Sequence, residues 1–585
     1  MRLKKIILWV FIILVVSVIG LGSYVYFNAQ NIINQIVIEN IIEKNNSNPS
    51  SKYKLTLEKV RVNLLAGSVK LINLTVQPKD SLVVVKNEMN KQVYANTSLI
   101  ISIHEISLAG FDYITALNNR AIIAKSFSIE SPKIQIYHHD GIKRIETEKV
   151  QDTVNIRNLF LAQFDTFMID QISVTNAATN FYKISKKKDT SLIYTLENIS
   201  YEIYGVLANK ETLYSSRVFD YKSYKLKSKN IELLLPDESK IKIKRINYDS
   251  DVNQLKISKV SFQQKGTPTQ FFKTLKHRKS WLKIAINEII IDQLDIDKWL
   301  ENDYVYASEI KISSPELSVF SNSKIPVDSN IVKPMLGEIL KKIKLPYLID
   351  NVQITDASIN LDMLGKYTDK HGKLVFKDMN IVASNVTNIK SELDLNPYIN
   401  IKVNTKINKT GDVNATLRIN MKSASSLTNY NVNATNLELK NFSTVLKPIL
   451  RVSIKSGVIK SLKIKSIISN QGGFGTMDAH YTELKIQLEN KELADKPGIF
   501  NNLASGIANG VLKKNNIPET KDYHQGNISF KKKASDSFFK MLWVVTLYGL
   551  EDSILGSDNR DQRRINKKQR KEKKKKKKKR FKWGF

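Results

Sequence analysis

The chain has 585 residues, with 91 Lys and Arg against 56 Asp and Glu, 42% hydrophobic residues and no cysteine. That apolar content excludes disorder over most of the length, and the missing thiol excludes a disulfide framework, a thiolate nucleophile and a thiolate metal site. The net charge of +35 is uneven, because residues 560 to 585 hold 16 Lys and Arg against Asp561 and Glu572. Such a run reads either as a solvated, disordered tail or as an attractor for a polyanion, whether membrane surface or nucleic acid.

The first element is Ile6 to Phe27, 22 residues without a charge behind Arg2, Lys4 and Lys5. At about 1.5 Å per residue it is long enough for a hydrocarbon core of about 30 Å. Trp9 and Phe11 lie inside the run, and Tyr24, Tyr26 and Phe27 read as an interfacial aromatic belt. The basic flank predicts a cytoplasmic N-terminus with the bulk of the chain on the far side. A cleaved signal peptide is the rival, but Gly20 to Tyr24 offers no good small-x-small cleavage site, so residues 1–27 are expected to be a retained single-pass anchor. Residues 28–52 follow as a membrane-proximal helix and linker, with Ile32, Ile33, Ile36, Val37 and Ile41 at helical spacing.

From Tyr53 the period becomes two. Tyr53, Leu55 and Leu57 alternate with Lys54, Thr56 and Glu58, and the register shifts near Lys59, which predicts a bulge. Alternation recurs at Leu99 to Leu108, Lys125 to Tyr137, Lys240 to Tyr248, Gln254 to Phe262, Trp281 to Ile291, Glu309 to Val319, Tyr398 to Ile407, Val413 to Met421 and Val458 to Ile467. Short helices are expected at Asp112 to Asn119, at its counterpart Asp295 to Asn302, and at Val332 to Lys344.

The chain also repeats itself. Ile101 to Ile136 aligns without a gap on Ile284 to Val319, 183 residues later, placing Glu105 on Glu288, Asp112 on Asp295 and Ser131-Pro132 on Ser314-Pro315. Leu55 to Gln77 recurs as Ile241 to Gln263, and Ile169 to Asn180 as Ile349 to Asn360. Three collinear matches imply a molecule extended by adding strands, whose function lies in a long surface rather than one pocket. The expected divisions are a first β-repeat unit at 53–230, a second at 231–395, a C-terminal β region with a terminal amphipathic helix at 396–556 and a Lys/Arg-rich tail at 557–585.

The strands carry Ile, Leu and Val on one face and Lys, Asn, Ser and Thr on the other, the pattern of an antiparallel sheet with one dry and one wet face. Either a second sheet covers the dry face, as in a sandwich, or the face lines an open groove that could hold acyl chains. Leu55, Leu57, Ile101, Ile103, Ile284 and Ile286 are the candidate groove residues. Phe538, Phe539, Leu542 and Trp543 open an apolar stretch too short to span a bilayer. With Lys573 and Lys576 beyond it, the stretch reads either as an interfacial helix at a distal membrane contact or as a helix packed on the end of the sheet.

No chemistry competes with these readings. The histidines His104, His138, His139, His277, His371, His480 and His524 are scattered without metal-ligand spacing, and no P-loop, GxSxG or dinucleotide fingerprint is present. No enzyme, cofactor or metal is expected. Nucleic acid is not expected either, since the tail comes without a stacking surface or a recognition helix.

Two C-terminal segments, 437 to 488 and 499 to 556, resemble the C-terminal part of AsmA-like, DUF748-related proteins of Gram-negative bacteria. The similar elements are Leu446-Lys447-Pro448-Ile449-Leu450 with Ser456-Gly457-Val458, the Gly475 to Leu488 run, Gly526-Asn527-Ile528-Ser529-Phe530, and Ser537-Phe538-Phe539 with Leu542-Trp543 and Gly549-Leu550. The resemblance implies a mainly β fold: an elongated, curved antiparallel sheet of repeating units forming a β-groove, with short helices, after one N-terminal transmembrane helix. It also implies an inner-membrane-anchored periplasmic protein serving outer-membrane biogenesis. Its implied partners are phospholipids, the inner membrane and, at the far end, the outer membrane's inner leaflet or envelope assembly proteins. A non-enzymatic scaffold for outer-membrane protein assembly is the alternative. The Lys-rich extension Lys567 to Lys582 departs from the common pattern.

Overall fold

Alternating side chains bury one set only if the backbone is extended, and extended backbone satisfies its N–H and C=O groups by laddering with a neighbour. The chain follows this logic in a computed structural model. The structure describes residues 36–49, 51–63, 66–79, 84–86, 92–94, 97–112, 115, 121–140, 165–185, 189–209, 219–235, 237–366, 368–408, 411–488 and 512–556. The expected anchor residues Trp9, Phe11, Tyr24, Tyr26 and Phe27, and Lys573 and Lys576 of the tail, lie outside these. Among the described residues no helix is long and apolar enough to cross a membrane. Among the described residues the fold is mainly β, with 21 strands in mixed sheet, two more in a separate pair, and short helices, and the chain divides into two compact units, Met1–Ser261 and Phe262–Phe585.

In the first unit a short helical turn, Ile36–Glu43 and Lys44–Ser47, leads into the strands and buries Val37 and Ile42. β1 (Tyr53–Asn63) pairs antiparallel with β2 (Ser68–Pro78), while β3 (Val84–Lys86) and β4 (Gln92–Tyr94) pair with each other. β2 continues to β5 (Thr97–Ala109), and β5 pairs antiparallel with two successive pieces, β6 (Ala121–Glu130) and β7 (Lys133–His139). β8 (Thr166–Ile184) runs parallel to both pieces. β9 (Thr190–Asn209), β10 (Ser223–Leu234) and β11 (Lys240–Asp249) extend the ladder antiparallel, and β12 (Gln254–Gln263) follows.

The second unit repeats the arrangement. β13 (Trp281–Asp292) pairs antiparallel with β14 (Val305–Ser313) and β15 (Glu316–Asn322), and β16 (Tyr347–Leu364) is parallel to both. The equivalence holds residue for residue: Glu105 opposite Glu130 becomes Glu288 opposite Ser313, and Lys133 opposite Ala178 becomes Glu316 opposite Ser358. An antiparallel meander continues through β17 (His371–Thr387), β18 (Tyr398–Ile407), β19 (Gly411–Asn420), β20 (Thr428–Glu438), β21 (Val452–Ile468), β22 (Gly472–Leu488) and β23 (Gly526–Lys531). The helix Phe538–Leu555 closes the unit.

The sheet is thus mixed, which corrects the expectation of a purely antiparallel one. Lys125 to Tyr137 and Glu309 to Val319 each read as a single strand, but Pro132 and Pro315 have no N–H for the ladder, and Ser131 and Ser314 turn left-handed at φ 50° and 46°. Each strand therefore breaks into two collinear pieces. The long connections before β8 and β16, the second carrying the helix Leu336–Lys341, give the chain length enough to cross back parallel.

The same level of neighbouring strands carries further left-handed residues: Asn73, Asn176 and Asn198 in the first unit, and Asp356 and Asp378 in the second. Asn and Asp tolerate this conformation better than other residues with a Cβ. Each inserts one residue and flips the alternation, forming a crease across the strands that keeps the apolar face apolar on both sides. The bulge expected near Lys59 is part of it, for the Asn73 amide donates to the Glu58 carboxylate beside it.

Candidate functional site

The pairing registers of the second unit assemble two unbroken apolar rows on one face. One runs through Ile289, Ile312, Ile354, Ile381, Val403, Ala415, Val432, Ile464 and Met477, each opposite the next. The other runs through Ile291, Ile310, Val352, Ala383, Ile401, Leu417 and Tyr430. Across the crease lies a third row, Ile284, Leu317, Ile359, Phe376 and Ile407. Nine strands at about 4.8 Å make the longest row about 38 Å long.

The alternate residues make the opposite face polar. Its matching row reads Ile290, Lys311, Gln353, Val382, Lys402, Thr416, Asn431, Lys465 and Thr476. There Lys311 bridges Asp292 at 2.9 Å and Glu309 at 3.0 Å, and those contacts, the hydrogen bond to Asp292 first, raise its pKa above the usual lysine value.

The rows are not equally covered. In β13 to β18 the Ile and Val side chains of the longest row are half-buried, whereas Val432, Ile464 and Met477 are buried. The latter belong to a core cluster that includes Met541 and Val545 of the terminal helix. That helix seats closely because two glycines face each other: a Cβ on Gly526 would lie 2.3 Å from the Gly549 carbonyl oxygen, and one on Gly549 would lie 2.7 Å from Met477 Cε. Asp552 pins it further by accepting from the Asn527 N–H at 2.7 Å. Burial under this cover pushes the Tyr430 and Tyr481 hydroxyls well above the usual tyrosine range.

The six candidate groove residues fall on the apolar face of their own unit, Leu55, Leu57, Ile101 and Ile103 in the first and Ile284 and Ile286 in the second. Leu55 stands opposite Val76, which stands opposite Ile101, and Leu57, Leu74 and Ile103 form the next row. Ile101 and Ile103 are buried, whereas Leu55, Leu57, Ile284 and Ile286 are half-buried. The candidate distal contact divides. Phe538 is in the core at 4% exposure, Leu542 packs partly against it, and Phe539 and Trp543 face outward. The expectation that Phe538 meets a membrane is therefore corrected, since its ring is taken up by the core between the helix and the strands, while Phe539, turned by about 100°, stays outside.

The half-buried members on β14, β16 and β17 were not singled out from the sequence. Adding the 183- and 180-residue offsets to Ile129 and Val174 would have reached Ile312 and Ile354. Among the described residues no three His, Asp or Glu side chains gather as a metal ion would need.

No protein-family model matches the chain, and no curated protein matches it.

Proposed function

We propose that the chain handles phospholipid, receiving acyl chains on the half-buried apolar rows of β13 to β18 while head groups stay in water at the margins of the face. The observation that carries this is an unbroken apolar row passing from a helix-covered end into a stretch where its Ile and Val side chains remain half-buried. Apolar area left partly in water is the site where a lipid tail gains from burial, about 25 cal/mol per Å².

The reading places the protein in an envelope. The uncharged run Ile6 to Phe27 with its basic flank would hold it in an inner membrane with the strands on the periplasmic side, as the AsmA-like resemblance implies. Its role would be non-enzymatic and would serve outer-membrane biogenesis.

The test is lipid analysis of the full chain extracted in mild detergent and examined by native mass spectrometry. Bound phospholipid is expected, and Ile312→Asp with Ile381→Asp should remove it while the far-ultraviolet circular dichroism stays unchanged. Lipid retained by that well-folded variant would sink the proposal. A lipid-free protein that captures assembly factors instead would put the scaffold reading in its place.

A further inference from the structure

In the second unit the strand end where β16 begins and β17 terminates collects several short segments, tied by consecutive hydrogen bonds. Asn388 Nδ2 donates to the Ile343 and Leu345 carbonyls at 2.9 and 3.1 Å, and Lys341 Nζ to the Ser423 carbonyl at 3.1 Å. Lys422 reaches Asp394 at 2.8 Å, and Asn470 Nδ2 reaches Glu338 at 3.2 Å. Lys532 Nζ donates to the Lys333 carbonyl at 2.9 Å, and the Lys333 N–H to the Ala534 carbonyl at 2.8 Å. These bonds build one rim from the helices Leu336–Lys341 and Lys390–Leu395 and the start of Phe538–Leu555.

The rim exposes large apolar side chains that its own helices do not bury. Leu395 is 84% exposed, Phe539 74%, Val332 73%, Ile339 46%, Ile343 44% and Trp543 37%. Lysines are interspersed: Lys333, Lys342, Lys344, Lys390 and Lys533 are all exposed. Of the acids beside them, Asp394 pairs with Lys422, Asp536 pairs with Lys540 at 2.5 Å and Glu338 accepts from Asn470, so the five lysines outnumber the remaining acid, Glu392 of the helix Lys390–Leu395. Exposed apolar and aromatic groups ringed by cations suit the boundary of an anionic bilayer, where side chains enter the acyl edge and ammonium groups remain among phosphates. The opposite strand end differs: the helix Ser443–Leu450 closes over β16 and β17, with Val445 buried and Thr368 Oγ1 donating to the Pro448 carbonyl at 2.6 Å.

We propose that this rim docks on the surface of an anionic phospholipid bilayer. The partner class is the one invoked for the apolar rows, but the site is separate and does not need them occupied.

The chain has no cysteine, so single substitutions can be labelled cleanly. Full-length protein, held in neutral phosphatidylcholine nanodiscs, would carry an environment-sensitive fluorophore at Phe539→Cys, Leu395→Cys or, as the distant reference, Lys440→Cys. With vesicles of phosphatidylcholine and phosphatidylglycerol, the probes at 539 and 395 should shift blue and be quenched by spin-labelled lipid, while the probe at 440 should not. Lys333→Glu with Lys344→Glu should weaken vesicle binding about tenfold or more. The proposal falls if the probes at 395 and 539 stay silent, if pure phosphatidylcholine vesicles give the same response, or if the probe at 440 responds equally. The variant Ile312→Asp with Ile381→Asp should leave the rim response intact, so failure at the rows and failure at the rim are read separately.

Discussion

The two ends of the longest apolar row make the most informative comparison in the molecule. At β20 to β22 Val432, Ile464 and Met477 are buried in the cluster that the helix Phe538–Leu555 helps to close, whereas at β13 to β18 the same row carries equally apolar side chains that stay half-buried. Strand sequence is therefore not what separates core from open face here. The separation comes from a helix that supplies a second layer to one end, and the two ends should answer differently to the same kind of substitution.

The largest contrast is in stability. Met541→Ala removes a fully buried side chain from the inner face of the helix and should cost about 2–5 kcal/mol, whereas Ile312→Ala in the open stretch should cost roughly 1 kcal/mol, because that side chain is already partly in water. Chemical denaturation of both variants decides it, and equal losses would mean the open stretch is packed as tightly as the covered one. Gly526→Val sharpens the same point. Its side chain would collide with the Gly549 carbonyl, so the helix should be displaced and Met477 exposed to hydrogen exchange.

A smaller effect is expected at the crease, which continues past the open rows. Asp356 is left-handed at φ 53° and accepts from Ser314 Oγ at 3.1 Å, with its N–H donating to Asn380 Oδ1 at 3.1 Å. Asp356→Val should cost about 1–2 kcal/mol from the backbone alone, while Asp356→Gly should be nearly neutral apart from the lost Ser314 contact. A valine variant as stable as wild type would show that the bend is not maintained by this residue.

Much of this was legible before any coordinates, and the exceptions have physical causes. Two-residue alternation located β18 at its observed limits and β5, β11, β12 and β13 within two residues, because one-sided burial writes itself directly into the local pattern. The short helix expected at Asp295 to Asn302 is found at Ile296–Asn302, where the Asp295 carboxylate caps it by accepting from the Lys298 N–H. The direction of β8 and β16 was not, since alternation is identical for parallel and antiparallel neighbours, and only the break at Ser-Pro and the long connections bear on it. The long strands β8, β9, β16 and β17 escaped as continuous elements because the inserted left-handed residues at 176, 198, 356 and 378 interrupt their parity. The apolar rows follow from registers between strands, which no single stretch encodes. The terminal helix read as either interfacial or packed, and it is packed through Phe538 while exposing Phe539, a division between adjacent residues that depends on where Gly526 and Gly549 let it sit.

The smallest effect at neutral pH is a titration in which the covered end carries the largest shifts. Tyr430 and Tyr481 keep their protons well above the usual tyrosine range because burial disfavours the phenolate, and Tyr523 is pushed up to about 12 by burial and its hydrogen bond to Asp478. In the unfolded chain tyrosine titrates near pH 10, so above that value the unfolded state releases protons that the folded state still holds. A folded pKa above the unfolded one means the stabilisation is complete below about pH 10 and is lost as pH rises from there through the folded value, at about 1.4 kcal/mol per pH unit for each tyrosine. Denaturation curves between pH 8 and roughly 12 should therefore be flat and then fall. Tyr481→Phe should flatten the fall by one proton's worth even if it lowers stability at neutral pH through loss of the hydroxyl's bond to the Lys513 carbonyl. Ile312→Ala should leave the slope unchanged, because no member of the open rows of β13 to β18 is a tyrosine, and Tyr306 and Tyr347, whose pKa values are also raised, stand on β14 and β16 outside those rows. If the open-row variant altered the alkaline slope as much as Tyr481→Phe, the two ends would be coupled in a single cooperative core and the contrast between them would fail.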